Sequence, residues 1–117
     1  MKHKSNKGRK FGRTKNQRDA MFASMAASLI EHGTITTTEE KAKDLSKKIE
    51  PMITKARSGT IAVRRQLAKT LPTAAVKKLV DEVAPKFAER PGGYTRIIHL
   101  NTRQTDGAQM AKIELVD

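Results

Sequence analysis

The chain has 117 residues and a formal net charge of +12, with 24 lysines and arginines against 12 acidic residues. This length accommodates one domain plus an extension, and the absence of cysteine excludes disulfides and thiolate metal sites. No stretch approaches the roughly 20 apolar residues of a membrane-spanning helix, so we expect no membrane partner. The strongly basic balance favours a polyanionic partner.

The positive charge is concentrated at the start of the chain. Residues 1–18 hold eight lysines and arginines and no acid, whereas residues 19–117 hold 16 against 12. Such a segment has little to bury beyond Phe11, so we expect it to be disordered in isolation. Ordering it costs about 1–2 kcal/mol per residue, which counterion release from a nucleic acid can offset. We predict a nucleic-acid-binding arm at 1–13 and one globular domain at 14–117.

The globular part begins with a helix predicted over residues 15–32. Thr14 and Gln17 have the spacing of a capping box, and Gly33 is suited to a left-handed cap at the other end. The β-branched residues 34–37 predict a short strand.

A second helix is predicted after this strand. Thr37 and Glu40 have the spacing of another capping box. Pro51 lies inside the apolar pattern and should bend or split the helix, since it cannot donate a backbone hydrogen bond. The Ser58–Gly59 pair ends the helix. Its apolar face consists of Ala42, Leu45, Ile49, Met52, Ile53 and Ala56.

Two further helices are predicted downstream. Residues 60–71 suit a short third helix. The fourth begins near Thr73, is expected to kink at Pro85, and ends at the Arg90–Gly93 segment. It has an unbroken amphipathic stripe, made of Val76, Leu79, Val80, Val83, Ala84 and Phe87.

After residue 93 the hydrophobic pattern changes from the periodicity of helices to that of strands. Residues 94–100 are rich in aromatic and β-branched side chains, and residues 110–116 alternate between apolar and charged ones. An Asp106–Gly107 turn signal lies between them. These two strands predict an antiparallel hairpin with a loop of about nine residues. The expected fold is therefore α+β: about four helices on a small, three-stranded, mostly antiparallel sheet, with the basic arm extending from it.

No arrangement of residues predicts catalysis. His3, His32 and His99 lie in unrelated contexts, and no zinc-protease, P-loop or dinucleotide-binding motif is present. The adjacent Glu39 and Glu40 favour a helix N-terminus over acid–base chemistry. We therefore expect no enzyme activity, no cofactor, no metal and no small-molecule substrate.

Basic residues also recur on the second predicted helix. Lys41, Lys48 and Lys55 are seven residues apart, so they share one solvent face, with Lys47 and Arg57 at its border. Each alone is most often a solvated surface charge. Together with the arm, the row can follow phosphates, which positions a protein on a nucleic acid without reading its sequence.

RNA is favoured over DNA as the partner. No helix-turn-helix, zinc or leucine-zipper pattern supplies a major-groove reader, and arginine-rich segments often order on folded RNA. Tyr94 could stack on a base, or it could fill a sheet surface. A nucleoid-type DNA-binding protein is the alternative hypothesis.

Several motifs in one order resemble the L17 family of bacterial large-subunit ribosomal proteins. The resemblance implies an α+β structural constituent of the ribosome with no catalysis and no cofactor. It implies binding to large-subunit, 23S-type ribosomal RNA and to neighbouring large-subunit proteins, near the exit of the nascent-peptide tunnel in the cytoplasmic ribosome. The segments that carry it are MKHKSNKGRK at 1–10, RDAMFASMAASLIEHGTITTTEEKAKDL at 18–45, IEPMIT at 49–54, GGYTRI at 92–97 and MAKIELVD at 110–117.

The resemblance also bears on which residues contact RNA. Arg18, Lys41, Lys43 and Arg96 lie in matching motifs, whereas the region from 60 to 80 matches poorly. Lys2 stands where the family has arginine, which keeps the charge but loses a bidentate fork. The complete predicted RNA-binding set is Lys2, His3, Lys4, Lys7, Arg9, Lys10, Arg13, Lys15, Arg18, Lys41, Lys43, Lys48, Arg64, Arg65, Tyr94 and Arg96.

Overall fold

A computed structural model describes residues 14–116, and the predicted arm at 1–13 lies outside this range. Within it the chain forms helices and a three-stranded sheet, which confirms the predicted α+β class. The elements are α1 (Lys15–His32), β1 (Thr34–Thr38), α2 (Glu39–Ala56), α3 (Ile61–Ala68), α4 (Thr73–Lys78), a π-helical segment (Leu79–Val83), α5 (Ala84–Lys86), β2 (Thr95–His99) and β3 (Met110–Leu115).

The sheet is antiparallel, with β3 between β1 and β2. This confirms the predicted hairpin of β2 and β3, which residues 100–109 connect. Ile113 of β3 is opposite both Ile35 and Ile97 and is fully buried. Because side chains alternate along a strand, Lys112 and Glu114 lie on the other face. Helix α2 packs against all three strands, and α1 packs against β1 and β3.

Helix α1 has the predicted boundaries and both predicted caps. The Thr14 hydroxyl accepts a hydrogen bond from the Gln17 N–H (3.2 Å), and the Thr14 N–H donates to Oε1 of Gln17 (3.1 Å). At the other end Gly33 has a φ of 79° and donates its N–H to the Leu29 carbonyl (2.7 Å). These short-range contacts fix the start of the helix at Lys15 and its end at His32.

Helix α2 differs from the prediction in two respects. Its N-cap is Thr38 and not Thr37, because β1 continues one residue further than predicted; the Thr38 hydroxyl accepts from the Lys41 N–H (3.4 Å). The helix also runs through Pro51 without a break, so a split there is wrong. Ile49 and Ile53 are fully buried on either side of the proline, and this packing outweighs the one lost backbone hydrogen bond.

The fourth helical segment accommodates Pro85 through a π-helical turn. The N–H of Ala84 donates to the carbonyl of Leu79, five residues earlier. The wider turn relieves the clash that a proline ring makes with the preceding turn of an α-helix. All six residues of the predicted stripe are buried, so they face the core as predicted. In residues 14–116 no helix is long and apolar enough to cross a membrane.

Candidate nucleic-acid interface

The predicted RNA contacts fall into two groups. One group lies outside the described residues and comprises Lys2, His3, Lys4, Lys7, Arg9, Lys10 and Arg13. The other lies on α1, α2, α3 and β2 or next to them. The structure therefore bears on the second group alone.

Lys15 and Arg18 lie in the first turns of α1, beside the start of the arm. The Lys15 ammonium contacts a carboxylate oxygen of Asp19 at 2.9 Å. This hydrogen bond, together with the charge of Arg18 and of Lys48, lowers the pKa of Asp19. No acidic residue occupies the first turn, so this helix end combines its own partial positive charge with two cations.

Lys43 is neutralised in part by an acidic neighbour. Its ammonium lies 2.9 Å from one oxygen of Glu39, and Nδ1 of His99 lies 3.2 Å from the other. The hydrogen bond from Lys43, followed by the influence of His99, lowers the pKa of Glu39. Lys43 thus forms an ion pair within α2, and the contact between Glu39 and His99 links α2 to β2. Lys41, by contrast, has no carboxylate partner within residues 14–116.

Arg64 and Arg65 differ although they are neighbours in the chain. Arg64 donates to Asp81 at 2.7 Å, and Lys77 lies 3.8 Å from the same carboxylate. The hydrogen bond from Arg64 lowers the pKa of Asp81. Arg65 is exposed in the last turn of α3 and has no acidic partner in the described part of the chain.

Arg96 is held on the outer face of the sheet. Its Nε and Nη2 atoms lie 2.7 and 2.6 Å from one oxygen of Glu114, directly across the β2–β3 ladder. Lys112 approaches the other oxygen of this carboxylate at 3.8 Å. One acid is therefore shared between two cations, and the site keeps a net positive charge.

Two lysines of the row along α2, Lys48 and Lys55, line different grooves. Lys48 lies 5.2 Å from the centre of the Phe22 ring, and together with Lys69 it lines a groove between α1 and α2. Lys55 lines another groove with Lys47, between α2 and the loop that precedes β2. The seven-residue spacing gave no sign of this division, since it depends on what packs beside α2.

Tyr94 has no accessible ring face and is corrected here from an RNA contact to a core residue. It is fully buried, and its ring centre lies 5.0 Å from that of Phe87. Its hydroxyl shares a hydrogen bond with Thr54 (3.0 Å) and accepts one from Arg57 (2.8 Å). Of the two alternatives for Tyr94, the packing role fits, because stacking on a base requires an exposed ring.

Two further residues hold the loop before β2 against α2. Glu50 accepts hydrogen bonds from the N–H groups of Gly93 and Thr95, both at 3.3 Å, and from the Thr95 hydroxyl at 3.1 Å. Arg57 donates to the carbonyls of Arg90 (2.8 Å) and Ala88 (3.2 Å). Sequence analysis missed the role of Glu50, because its partners lie 43 and 45 residues away and no local pattern predicts them.

The surface lacks the features of a metal centre in the part that the structure describes. Among residues 14–116 no three side chains of His, Cys, Asp or Glu could hold a metal ion together. What the interface offers is a set of dispersed cations, some paired with carboxylates and some not.

Comparison with known proteins relates nearly the whole chain to one family. Residues 21–116 match the family described as Ribosomal protein L17. The large ribosomal subunit protein bL17 of Gemmatimonas aurantiaca is 49% identical over 117 residues, which cover 99% of this chain and 98% of the relative. The protein of the same name from Desulfotalea psychrophila is 50% identical over 117 residues, covering 99% of this chain and 90% of the relative.

Proposed function

Because the chain belongs to the ribosomal protein L17 family, whose members are structural constituents of the large ribosomal subunit, we propose that it binds large-subunit ribosomal RNA. The contacts are made by the basic arm at 1–13 and by cations on α1, α2, α3 and β2. The protein acts in the cytoplasmic ribosome and is not an enzyme.

The observation that carries this proposal is the extent of the relationship. About half of the residues are identical to those of proteins named for the large ribosomal subunit, over 99% of the chain. The similarity therefore includes the basic arm as well as the folded part. Ribosomal RNA supplies the polyanion that such an arm needs in order to become ordered.

The ion pairs on the body are compatible with RNA binding. Lys43, Arg64 and Arg96 contact carboxylates at the protein surface, where such pairs are weak and are screened by salt. A phosphate can replace the carboxylate, and an arginine fork suits it well. The pairs meanwhile hold these side chains in position.

The resemblance further supports a position near the exit of the nascent-peptide tunnel, with other large-subunit proteins as neighbours. Crosslinking of a nascent peptide that has just reached the tunnel exit would test this position. Crosslinks to the chain are expected, and crosslinks solely to other proteins of the subunit would contradict the position.

Cosedimentation tests the central proposal. The tagged chain should sediment with large subunits and remain there after a high-salt wash, because many contacts must be broken together. A chain recovered solely from the free protein fraction would overturn the proposal. The relatives give no support to the alternative of nucleoid-type DNA binding, and a competition assay should show that large-subunit RNA displaces duplex DNA.

A further inference from the structure

A second basic surface lies in a shallow groove of about 610 Å³ between α2 and the loop at 91–94. We call it the α2–loop groove. Lys47 and Lys55 lie at its α2 side, and Pro51 is between them in the chain; Pro91 and Gly92 form the opposite wall. Lys55 lies in the basic row of α2 that was predicted from the sequence and Lys47 lies at its border, but none of these five residues is in the predicted RNA-binding set.

The walls of the groove are held in place by contacts described above. Glu50 accepts hydrogen bonds from the N–H of Gly93 in the loop and from the N–H of Thr95 at the start of β2, and Arg57 donates to two carbonyls just before the loop. Gly93 has a φ of 64°, a conformation that residues with a side chain rarely adopt. A surface preorganised in this way loses little conformational entropy when a ligand binds.

The charge of the groove selects an anionic ligand. Lys47 and Lys55 are exposed, and neither has a carboxylate partner among the residues described. Glu50 is the one acid that lines the groove, and its oxygens accept hydrogen bonds from the loop. Lys47 and Lys55 are eight positions apart in α2, which places them about 12 Å apart along the helix axis. This spacing suits a ligand with repeated charges.

The shape of the groove favours an RNA strand over a small molecule. Small-molecule sites are usually concave and enclosing, whereas this groove is open along α2. Pro51 and Pro91 are exposed and offer apolar surface to a ribose, while the lysines reach phosphates. We propose that the α2–loop groove binds the sugar–phosphate backbone of large-subunit ribosomal RNA, an assignment that rests on the proposed function.

Paired substitutions of equal charge test this assignment. The variant Lys47→Ala with Lys55→Ala should bind deproteinised large-subunit RNA roughly tenfold more weakly. The slope of log affinity against log salt should fall by about 1.5, since each lost phosphate contact removes about 0.7–0.9. The control, Lys77→Ala with Lys86→Ala, removes the same charge from exposed positions outside the groove and should have less than half of the effect. Equal effects would overturn the assignment, because they would reflect net charge alone.

Acetylation of lysines provides a second measurement. In the complex with RNA, Lys47 and Lys55 should be protected from acetylation, while Lys77 and Lys86 should react as in the free chain. If Lys47 and Lys55 react fully in a complex that still forms, the α2–loop groove does not bind the RNA. The proposed function would remain intact. If the unaltered chain does not bind the RNA, the proposed function itself fails.

An acidic protein segment is the competing occupant. In assembled large subunits, a carbodiimide reagent would join Lys47 or Lys55 to the carboxylates of such a segment. Crosslinks of this kind, together with unchanged RNA affinity of the double variant, would contradict an RNA strand in the groove. We expect the lysines to crosslink to RNA on ultraviolet irradiation and to give no carboxylate crosslink.

Discussion

Lys43 and Arg96 were predicted as RNA contacts because they lie in matching motifs, and Arg64 was predicted for its charge; each is paired with a carboxylate. The partners, Glu39, Asp81 and Glu114, lie at 2.9, 2.7 and 2.6 Å. The hydrogen bonds from Lys43 and Arg64 lower the pKa of Glu39 and of Asp81, so these carboxylates stay ionised further into the acidic range. We propose that these pairs orient the cations before RNA binds, so that binding would exchange a carboxylate for a phosphate.

Asp106 provides a test of such pairing in a region without predicted RNA contacts. Hydrogen bonds from Arg103 and from the Ala108 N–H lower the pKa of Asp106 from 3.8 to about 2. Because the folded pKa is depressed, the stabilisation is present above about pH 4 and is lost as the pH falls towards 2. In an NMR titration the Asp106 carboxyl should have its midpoint near 2.

The variant Arg103→Gln should raise this midpoint towards 3.8, the ordinary value. Lys112→Gln serves as the control, since it removes a charge elsewhere on the surface. A midpoint that stays near 2 in Arg103→Gln would show that Arg103 is not the main cause.

Tyr94 stabilises the fold through its hydroxyl as well as through its ring. Tyr94→Phe keeps the packing on Phe87 but removes the partner of Thr54 and Arg57. We expect the free energy of unfolding to fall by about 1.5–3 kcal/mol, the range for hydrogen bonds to charged groups. Urea denaturation measures it. Thr54→Ala removes one partner and should cost less; a larger loss there would contradict this account.

At the scale of elements, caps and tight junctions determine where helices and strands begin. The Thr38 hydroxyl caps α2, and the Glu39 N–H donates to the Gln109 carbonyl at 2.8 Å. The strand and the helix thus meet at one residue. Thr37 pairs with Ala111 one residue before the end of the ladder, which closes with Thr38 opposite Met110, so the N-cap position falls on Thr38.

The cap predicts a difference between two neighbouring threonines. Thr38→Ala should lower the free energy of unfolding by about 1 kcal/mol, as expected for loss of an N-cap. Thr37→Ala loses mainly β propensity and should cost less. Chemical denaturation of both variants compares them directly. A greater loss for Thr37→Ala would restore the capping box predicted from the sequence.

This comparison also shows which features a sequence can predict. The caps of α1 were predicted because Thr14, Gln17 and Gly33 act over three or four residues. The choice between Thr37 and Thr38 was wrong because it depends on where pairing with β3 ends. In the same way, sequence identified the cations of the candidate interface, but their partners lie far along the chain. Arg64 and Asp81, for example, are 17 residues apart.

At the scale of the whole molecule, we propose a division into a basic arm and a body with its own core. The buried cluster runs from Phe22 to Ile113 and draws on α1, α2, the fourth helical segment and the sheet. Residues 1–13 hold six lysines and arginines and no acid. In this division, folding belongs to the body, while much of the RNA affinity belongs to the arm.

Deletion of residues 1–13 tests the division. The shortened chain should keep a cooperative melting transition, because the buried cluster described within residues 14–116 lies entirely in the remaining part. Its RNA affinity should depend less on salt, with the log–log slope reduced by up to about five units for six lost phosphate contacts. Calorimetry and filter binding measure the two effects. A chain that no longer melts cooperatively, or an unchanged slope, would contradict the division.

The connections on either side of β1 contain no spare residues. Gly33 alone separates α1 from β1, and α2 begins directly after Thr38. An inserted residue at either junction would turn the alternating faces of β1 over, so that Ile35 would leave the core. Changes in chain length and engineered peptide tags should therefore be tolerated in the exposed connection at 100–109, while the segment from α1 to α2 must keep its residue count.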